Sequence, residues 1–455
     1  MSQNAKVVLV LGSSLLLALA LVWVALPHLK NRKLAAGTPS LLNTREQQPT
    51  GTWTFAVSGD SRNCGDVIMP AIAADSASHA PQFYWHLGDF RFIALVDEDM
   101  QCRLTPAANP IMMKICREFA GLYAEALKSG KVPEEDAGFY AEVHKSGKVD
   151  EWLAYEKRAW EDFKQYQVGT FAKNKTPVFL GIGNHEMILH NDHEDFIKAF
   201  KDWLNPDNQK TETGKIQTYY HWTIGGVDFI NLDNAGKAVE EKNLSFGDDQ
   251  LQWLGDRLAK DASDADVKTI VVGMHAALSD SISAKHSMNE TKEGAASGRK
   301  AYERLWEWQT QTHKHVYVLA SHSHFYMENI FNTDAWTGKN EVLQGWIVGS
   351  AGAHRIPLPS AYKKAKDART NVYGYLLGTV NPDGQSDGSI KFEFHEIKID
   401  SVPADVVARF QKGFVPWCFQ HNTDCVDTDQ HCEKSVPPHY GLADYNAAIA
   451  PLHCN

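Results

Sequence analysis

The sequence lacks an excess of positive charge. Its 45 Lys and Arg residues are outnumbered by 56 Asp and Glu residues, so the formal net charge is −11. Basic residues also do not cluster outside residues 27–50. A protein that binds long nucleic acids presents a basic face to the phosphates, and this composition argues against such a partner. Small anionic substrates stay open, because the charge of a site can oppose the charge of the whole chain.

The chain also lacks the polar bias of a disordered protein. Apolar residues make up 43% and charged residues 22% of the sequence, values that are typical of globular domains. A chain of 455 residues is long enough to bury a large core. We therefore expect ordered structure over most of its length.

Charge is missing altogether from residues 7–26, a run of 20 residues. At a rise of about 1.5 Å per residue, this length matches one bilayer crossing. The run continues past Ala18-Leu19-Ala20, which resembles a cleavage site, and this favours an uncleaved signal anchor. We therefore predict an N-terminal transmembrane helix within residues 1–28, followed by a polar tether at residues 29–50.

Two features bear on the side of the membrane that the main domain occupies. Lys30, Arg32 and Lys33 follow the apolar run and favour a cytoplasmic domain under the positive-inside rule. The seven cysteines favour an oxidising compartment, since four of them lie in the last 38 residues. We predict a membrane-anchored protein whose main domain is extracytoplasmic, either periplasmic or extracellular.

The cysteines of residues 401–455 predict a separate, Cys-rich tail. They are Cys418, Cys425, Cys432 and Cys454. Their spacing fits no common zinc site, which favours disulfides, and four cysteines allow three pairings. Upstream, Cys102 and Cys116 could pair with each other, which would leave Cys64 free.

Five short apolar runs end in Gly or Ser together with side chains that can bind metals. They are WTFAVSGD, QFYWHLGDF, PVFLGIGN, TIVVGMH and VYVLASHSH. Each run predicts a buried strand whose polar tip lies at the carboxyl end, where α/β sheets place their sites. Amphipathic stretches between the second and third runs predict a helical insertion at about residues 90–175. Three later runs, GWIVGSAGAH, YGYLLGTV and SIKFEFHEIKI, predict strands that close a second sheet.

The polar tips share oxygen and imidazole ligands and contain no thiolate. They are Asp60, Asp89, Asn184, His185, His275, His322 and His324. One His at a strand end is more often structural, but five tips in succession indicate a common site. Such ligands suit divalent or trivalent transition metals such as Mn, Fe or Zn better than a structural zinc. The set exceeds the needs of one ion, so it predicts a two-metal centre.

In this order the blocks GD, GD, GNHE, MH and SHSH resemble those of the calcineurin-like metallophosphoesterases. The resemblance covers about residues 53–399, and GNHE followed by HxH is its specific part. It implies an α/β fold over residues 51–400, an αββα sandwich of two mixed sheets with flanking helices. It also implies metal-dependent hydrolysis of a phosphomonoester or a phosphodiester, so the expected partners are a phosphate-ester substrate and, through the N-terminal helix, the membrane.

The same resemblance implies a role for each tip. Asp89 would bridge both metals; Asp60 and His324 would complete the first site, and Asn184, His275 and His322 the second. His185 would face the leaving oxygen as a general acid, and Glu186 would orient His185. A hydroxide that bridges the metals would attack the phosphorus.

One position departs from the family pattern. The first block is usually D-x-H, and this chain has Arg62 where the histidine should stand. A guanidinium is no metal ligand, because it stays protonated and carries only donors. Arg62 then binds the substrate phosphate, forms a structural ion pair, or marks a lost first site. The last possibility supports an alternative function, a non-catalytic metal-binding descendant that acts as a binding or scaffolding protein.

Overall fold

The computed structural model describes the chain over nine ranges. They are residues 49–93, 97–101, 149–187, 193–204, 215–236, 244–283, 286–339, 341–410 and 412–423. The predicted membrane helix, most of the predicted tether, and Cys102, Cys116, Cys425, Cys432 and Cys454 lie outside these ranges. Among the helices within them, none combines the length and apolarity that a bilayer crossing requires.

Twelve strands occur in the described residues and form two sheets. They are β1 (Trp53–Ser58), β2 (Tyr84–His86), β3 (Val178–Leu180), β4 (Tyr220–Ile224), β5 (Val227–Asn231), β6 (Thr269–Met274), β7 (His315–Ala320), β8 (Tyr326–Glu328), β9 (Gln344–Val348), β10 (Asp367–Arg369), β11 (Tyr373–Val380) and β12 (Ile390–Ile397). The strand orders are β12-β11-β1-β2-β3 and β10-β8-β9-β7-β6-β5-β4. Each sheet contains parallel and antiparallel pairs, which confirms the predicted α/β class with two mixed sheets.

The helices of the described residues connect and cover these strands. They are α1 (Gly65–Ala77), α2 (Glu98–Gln101), α3 (Val149–Phe163), α4 (Gly169–Phe171), α5 (His193–Phe200), α6 (Asp248–Ser263), α7 (Lys292–Thr312), α8 (Ala404–Val407) and α9 (Phe414–Gln420). A π-helical turn, Lys164–Val168, continues α3 directly. The part of the predicted insertion that the structure describes is therefore largely helical.

The prediction that the last three runs close a second sheet is wrong for two of them. Strand β9 does pair with β7 in the seven-stranded sheet. Strands β11 and β12 instead join the five-stranded sheet, where β11 pairs with β1 and Val380 lies opposite Trp53. An apolar run reveals a strand, but its partner is chosen by packing between residues far apart in sequence, which the run does not encode.

Aromatic side chains fill the space between the two sheets. The ring centroids of Phe55 and Phe229 are 4.9 Å apart, and those of Trp346 and Phe392 are 4.3 Å apart. Strand side chains alternate between faces, so neighbouring residues point the other way. The ring of Tyr84, for example, stacks on Phe171 of α4 at 4.2 Å. One core thus lies between the sheets, helices cover the outer face of the five-stranded sheet, and a second hydrophobic cluster packs α6 and α7 against the seven-stranded sheet.

A disulfide joins Cys64, just before α1, to Cys418 in α9, across 354 residues of sequence. The expectation of a free Cys64 is therefore wrong. Sequence spacing favoured pairings between near neighbours, whereas the fold brings α9 against the loop that follows β1. Arg355 adds to this contact by donating from Nη2 to the carbonyl oxygens of Cys418 and Phe419 at 3.2 and 3.0 Å.

Candidate metal centre

The strand ends bring the predicted ligands together. Asp60 and Asp89 follow β1 and β2, and Asn184 follows β3. In the other sheet, His275 follows β6, and His322 and His324 follow β7. The two sheets meet at this edge, because Gly59 N–H donates to the Val348 carbonyl at 3.1 Å and His275 Nδ1 donates to the Leu87 carbonyl at 3.0 Å.

Three of the tips have strained backbones. The φ angles of Asp60, Asp89 and His322 are 60°, 59° and 63°, in the left-handed region that favours glycine. Each such residue costs roughly 1–3 kcal/mol. The two GD turns stabilise each other, since Asp60 N–H donates to the Gly88 carbonyl at 3.0 Å and Ser61 N–H donates to the Asp89 carbonyl at 2.9 Å. The strain directs both carboxylates into the same buried space.

Asp89 belongs to two of the three groups of potential metal ligands at this edge; the third group, His286, Glu290 and His322, shares only His322 with them. Its Oδ1 lies 3.3 Å from His275 Nε2 and accepts from the His185 N–H at 3.0 Å. Its Oδ2 is buried and makes no hydrogen bond to any described residue. Burial would raise the pKa of Asp89, but the neighbouring imidazoles of His275 and His185 hold it well below its usual range. The carboxylate is therefore ionised and offers one oxygen to each side.

At the second site, atoms that could bind a metal converge around His275. Its Nδ1 is used by the Leu87 carbonyl, so Nε2 faces Asn184 Oδ1 at 2.9 Å and His322 Nδ1 at 3.1 Å. Burial would lower the pKa of His275, yet the carboxylate of Asp89 raises it to about 9. In this structure a proton on His275 Nε2 serves these acceptors, and a metal ion would take the place of that proton. These oxygen and imidazole ligands fit a transition-metal ion.

The first site contains Asp60, Asp89 and His324. His324 Nδ1 donates to the His354 carbonyl at 2.6 Å, which directs Nε2 to a position 3.3 Å from Asp60 Oδ1. That Oδ1, like Asp89 Oδ2, is buried without a hydrogen bond to a described residue. Two orphaned carboxylate oxygens beside an imidazole nitrogen also fit a divalent cation, because a buried charge needs a partner.

Arg62 lies at the first site. Its guanidinium hydrogen-bonds to His185 Nε2 and, at 2.9 Å, to His324 Nε2. Nη1 is 3.9 Å from Asp89 Oδ2, and the group lies 5.0 Å from the centre of the Phe92 ring. Arg62 therefore contacts the catalytic candidate His185 and a predicted metal ligand at the same time.

His185 and Glu186 have different surroundings. His185 Nδ1 donates to the Phe92 carbonyl at 2.7 Å, so a main-chain group orients its ring. The carboxylate of Glu186 is fully buried and accepts from three main-chain N–H groups, each at 2.8 Å. These donors are Asp89, Phe90 and Gly183. In this geometry Glu186 ties the second GD turn to the GNHE turn, whereas the sequence suggested that it orients His185.

Sequence reasoning gave no site role to two groups that support these turns. His86 Nε2 lies 2.9 Å from Ser61 Oγ, and its Nδ1 accepts from Gly88 N–H at 3.2 Å. Burial lowers the pKa of His86 to about 3, so the ring is neutral. The buried Arg91 pairs with Asp66 at 2.6 Å and with Asp99 at 2.7 Å. Charged residues within the apolar stretch FRFIALVDED were the available signal for the second group.

Comparison with known proteins gives distant likenesses. No family model and no curated protein matches the sequence. A structure of PhoD is 14% identical with a TM-score of 0.44, over 77% of this chain and 72% of PhoD. A 5'-nucleotidase from Candida albicans SC5314 is 11% identical with a TM-score of 0.33, over 82% of this chain and 59% of the nucleotidase. Likeness at this level carries no argument about function.

Proposed function

We propose that the chain is a metal-dependent phosphoesterase that hydrolyses a phosphomonoester or a phosphodiester with two transition-metal ions, Mn, Fe or Zn. The observation that carries the proposal is the position of Asp89. One of its oxygens lies beside His275 in the second site, and the other is buried without a hydrogen-bonding partner among the described residues. Two adjacent metal sites that share one carboxylate suit displacement at phosphorus.

The ligands would divide as the family resemblance implies. Asp60, Asp89 and His324 would hold one ion, and Asp89, Asn184, His275 and His322 the other. When bound, such ions supply Lewis-acid polarisation of a phosphoryl oxygen and lower the pKa of water. The protein contributes fixed ligand positions, since main-chain carbonyls orient His275 and His324, and the Glu186 carboxylate, which accepts from the Asp89 N–H, holds the turn of Asp89.

His185 would act as the general acid. Its Nδ1 hydrogen is committed to the Phe92 carbonyl, so the transferable proton would be carried by Nε2, which accepts from Arg62 in this structure and would become available for a proton once Arg62 binds the phosphate. Placed there, it can pass to the leaving oxygen of the ester as the bond to phosphorus breaks. Glu186 would support the reaction indirectly, by keeping the turns of Asp89 and His185 in register.

Arg62 would bind the phosphate of the substrate. The residue is 8% exposed, and its donors meet the unprotonated nitrogens of His185 and His324. A guanidinium forms stronger, bidentate hydrogen bonds with phosphate oxygens than with neutral imidazoles. An incoming phosphate would therefore draw these donors to itself.

The enzyme's setting is also a proposal. We infer that residues 7–26 anchor the chain in a membrane and that the catalytic domain faces an oxidising, extracytoplasmic space. The Cys64–Cys418 disulfide supports this, because disulfides persist mainly in such compartments. Protease digestion of intact cells tests it: the domain should be cleaved without permeabilising the membrane, and protection would contradict the assignment.

The deciding experiment combines metal analysis with two substrates. The full-length chain should hold metal at its two sites and hydrolyse p-nitrophenyl phosphate or its bis ester, and the ester preferred separates monoesterase from diesterase. Asp89→Asn should lose metal and several orders of magnitude in rate, whereas the exposed Asp400→Asn should change neither. A metal-loaded protein that hydrolyses neither ester would overturn the proposal.

A second candidate function is metal-dependent binding without catalysis. It is favoured by one contact, that of the Arg62 guanidinium with His324 Nε2, the nitrogen needed by the first site. Arg62→His separates the two candidates. An enzyme that uses Arg62 for substrate should show a raised KM in this variant. A binding protein that lost its first site should gain a metal ion and acquire turnover.

A further inference from the structure

Three side chains that could bind a metal lie together on the outer face of the five-stranded sheet. Asp75 is in the last turn of α1, His79 follows the end of that helix, and His395 is on β12. One nitrogen or oxygen atom from each lies within 4.8 Å of the others. These three residues, the outer cluster, share no member with the metal centre described above.

The fold explains why these residues meet. Helical turns continue beyond α1, since His79 N–H donates to the Ser76 carbonyl at 2.9 Å, and so Asp75 and His79, four apart, share one side. On β12, Phe392 and Phe394 contact rings of the other sheet. His395 alternates with them and therefore points outward, towards α1.

A tyrosine orients the cluster. Tyr375 pairs with His395 across β11 and β12, and their ring centroids are 5.1 Å apart. Its hydroxyl donates to Asp75 Oδ2 at 2.8 Å, and the same oxygen is 3.8 Å from His395 Nδ1. The rings of His79 and His395 are 4.6 Å apart in an edge-on arrangement. A hydrogen bond that fixes a ligating carboxylate is a common feature of metal sites.

The cluster also meets the chemical requirements of a metal site. Two imidazoles and a carboxylate are ligands that zinc commonly binds in proteins. Zinc with bonds of about 2.0–2.1 Å places its ligand atoms about 3.3 Å apart, so rotations that move these atoms by roughly 1 Å would suffice. All three side chains are half-buried, which leaves room for a water as the fourth ligand.

We propose that Asp75, His79 and His395 bind a divalent transition-metal ion, with Zn²⁺ as the best match, at a site separate from the catalytic centre. The ion joins the end of α1 to the edge strand β12. Its role is structural: it holds the helix that begins just after the first GD turn against the sheet. The inference does not depend on the proposed function.

Metal counting on the full-length chain tests the site. After equilibrium dialysis against buffered Zn²⁺, wild type, His79→Gln, His395→Ala and the control His315→Ala are compared by elemental analysis. The two cluster variants should each hold one zinc ion fewer per chain than wild type and the control. Their hydrolysis of p-nitrophenyl phosphate, expressed relative to that of wild type, should be unchanged.

Thermal unfolding provides a second readout that does not require activity. Added Zn²⁺ should raise the Tm of the control more than that of either cluster variant, because a ligand that binds only the folded state stabilises it. Circular dichroism spectra that match wild type show that the variants fold. Equal zinc content in all four proteins, or equal Tm shifts, would overturn the proposal.

Discussion

His185 presents only one ring nitrogen to the metal centre, because the Phe92 carbonyl holds the other. We predict that His185→Ala lowers kcat by about 10²–10⁴-fold, the usual effect of removing a general acid. The loss should be smaller with p-nitrophenyl phosphate than with an alkyl phosphate, since nitrophenolate needs less protonation to leave. Steady-state kinetics with both esters test this, with His315→Ala as the control. An equal loss on both esters would contradict the role of acid.

Glu186 has a different function in the same turn, since its carboxylate accepts from three main-chain N–H groups. Glu186→Gln keeps one acceptor oxygen and sets an amide NH₂ against N–H donors. We predict that the free energy of unfolding falls by about 1–3 kcal/mol, the cost of unsatisfied buried polar groups. Urea unfolding measures the change, and the exposed Glu307→Gln should have little effect. A variant as stable as wild type would show that Glu186 does not hold the turns.

Single residues also show what the sequence can predict. Each polar tip follows a strand, so local sequence patterns were enough to identify the candidate metal ligands. These are Asp60, Asp89, Asn184, His275, His322 and His324. The partners of Glu186 and Arg62 were not predictable in the same way. Glu186 and His185 bind main-chain groups, namely three N–H donors and the Phe92 carbonyl. Nearly every residue carries the same main-chain groups, so the sequence does not show which of them form these contacts. The contact of Arg62 with His324 joins residues that are 262 positions apart.

The turn between β3 and Asn184 depends on the absence of a side chain at Gly183. A Cβ there would collide with the carboxylate and the amide nitrogen of Asp89, which both metal sites share. We predict that Gly183→Ala displaces Asp89 and lowers both metal content and activity by at least tenfold. Elemental analysis and ester hydrolysis test this against Gly338→Ala, whose added methyl group meets nothing within 4 Å. Retention of both metals in Gly183→Ala would contradict the assigned geometry.

Strands were easier to predict than their neighbours. The runs around β1, β6 and β7 revealed buried strands with polar ends, because that pattern is local. The pairing of β11 with β1 places Val380 opposite Trp53. No sequence pattern near either residue indicates this pairing, because the two residues are far apart in the chain. The pattern therefore gave the number of tips and their direction, whereas the division of strands between the two sheets required the structure.

The disulfide connects the loop after the first GD turn to α9, beyond the last strand. Sequence spacing gave no sign of this pair, because its cysteines are 354 residues apart. Near it, Asn422 Nδ2 donates to the Gly352 carbonyl at 3.1 Å, in the loop that leads to His354 and so to His324. We predict that Cys418→Ser lowers the free energy of unfolding by about 2–5 kcal/mol.

A reducing agent provides the matched control for this prediction. Dithiothreitol should lower the Tm of wild type more than that of the Cys64→Ser/Cys418→Ser double variant, in which only the other cysteines remain. Activity should fall with the Tm only to the extent that the loop of His354 loosens. A wild-type Tm that does not respond to complete reduction, verified by thiol titration, would show that the disulfide does not stabilise the fold.

Removal of metal should reveal how strongly the whole domain depends on its site. Without ions, the buried oxygens Asp60 Oδ1 and Asp89 Oδ2 make no hydrogen bond to a described residue, and their charge is compensated mainly by Arg62 and the nearby imidazoles. We predict that a strong chelator abolishes ester hydrolysis and lowers the Tm, because the ions stabilise only the folded state. Re-addition of Mn²⁺, Fe²⁺ or Zn²⁺ to the chelated protein should restore both.

In Asp89→Asn the chelator should have a smaller effect on the Tm, since the ligand that both sites share is already impaired. If chelation lowers the Tm equally in wild type and Asp89→Asn, the stabilising ion lies elsewhere, and His395→Ala then tells whether the outer cluster holds it.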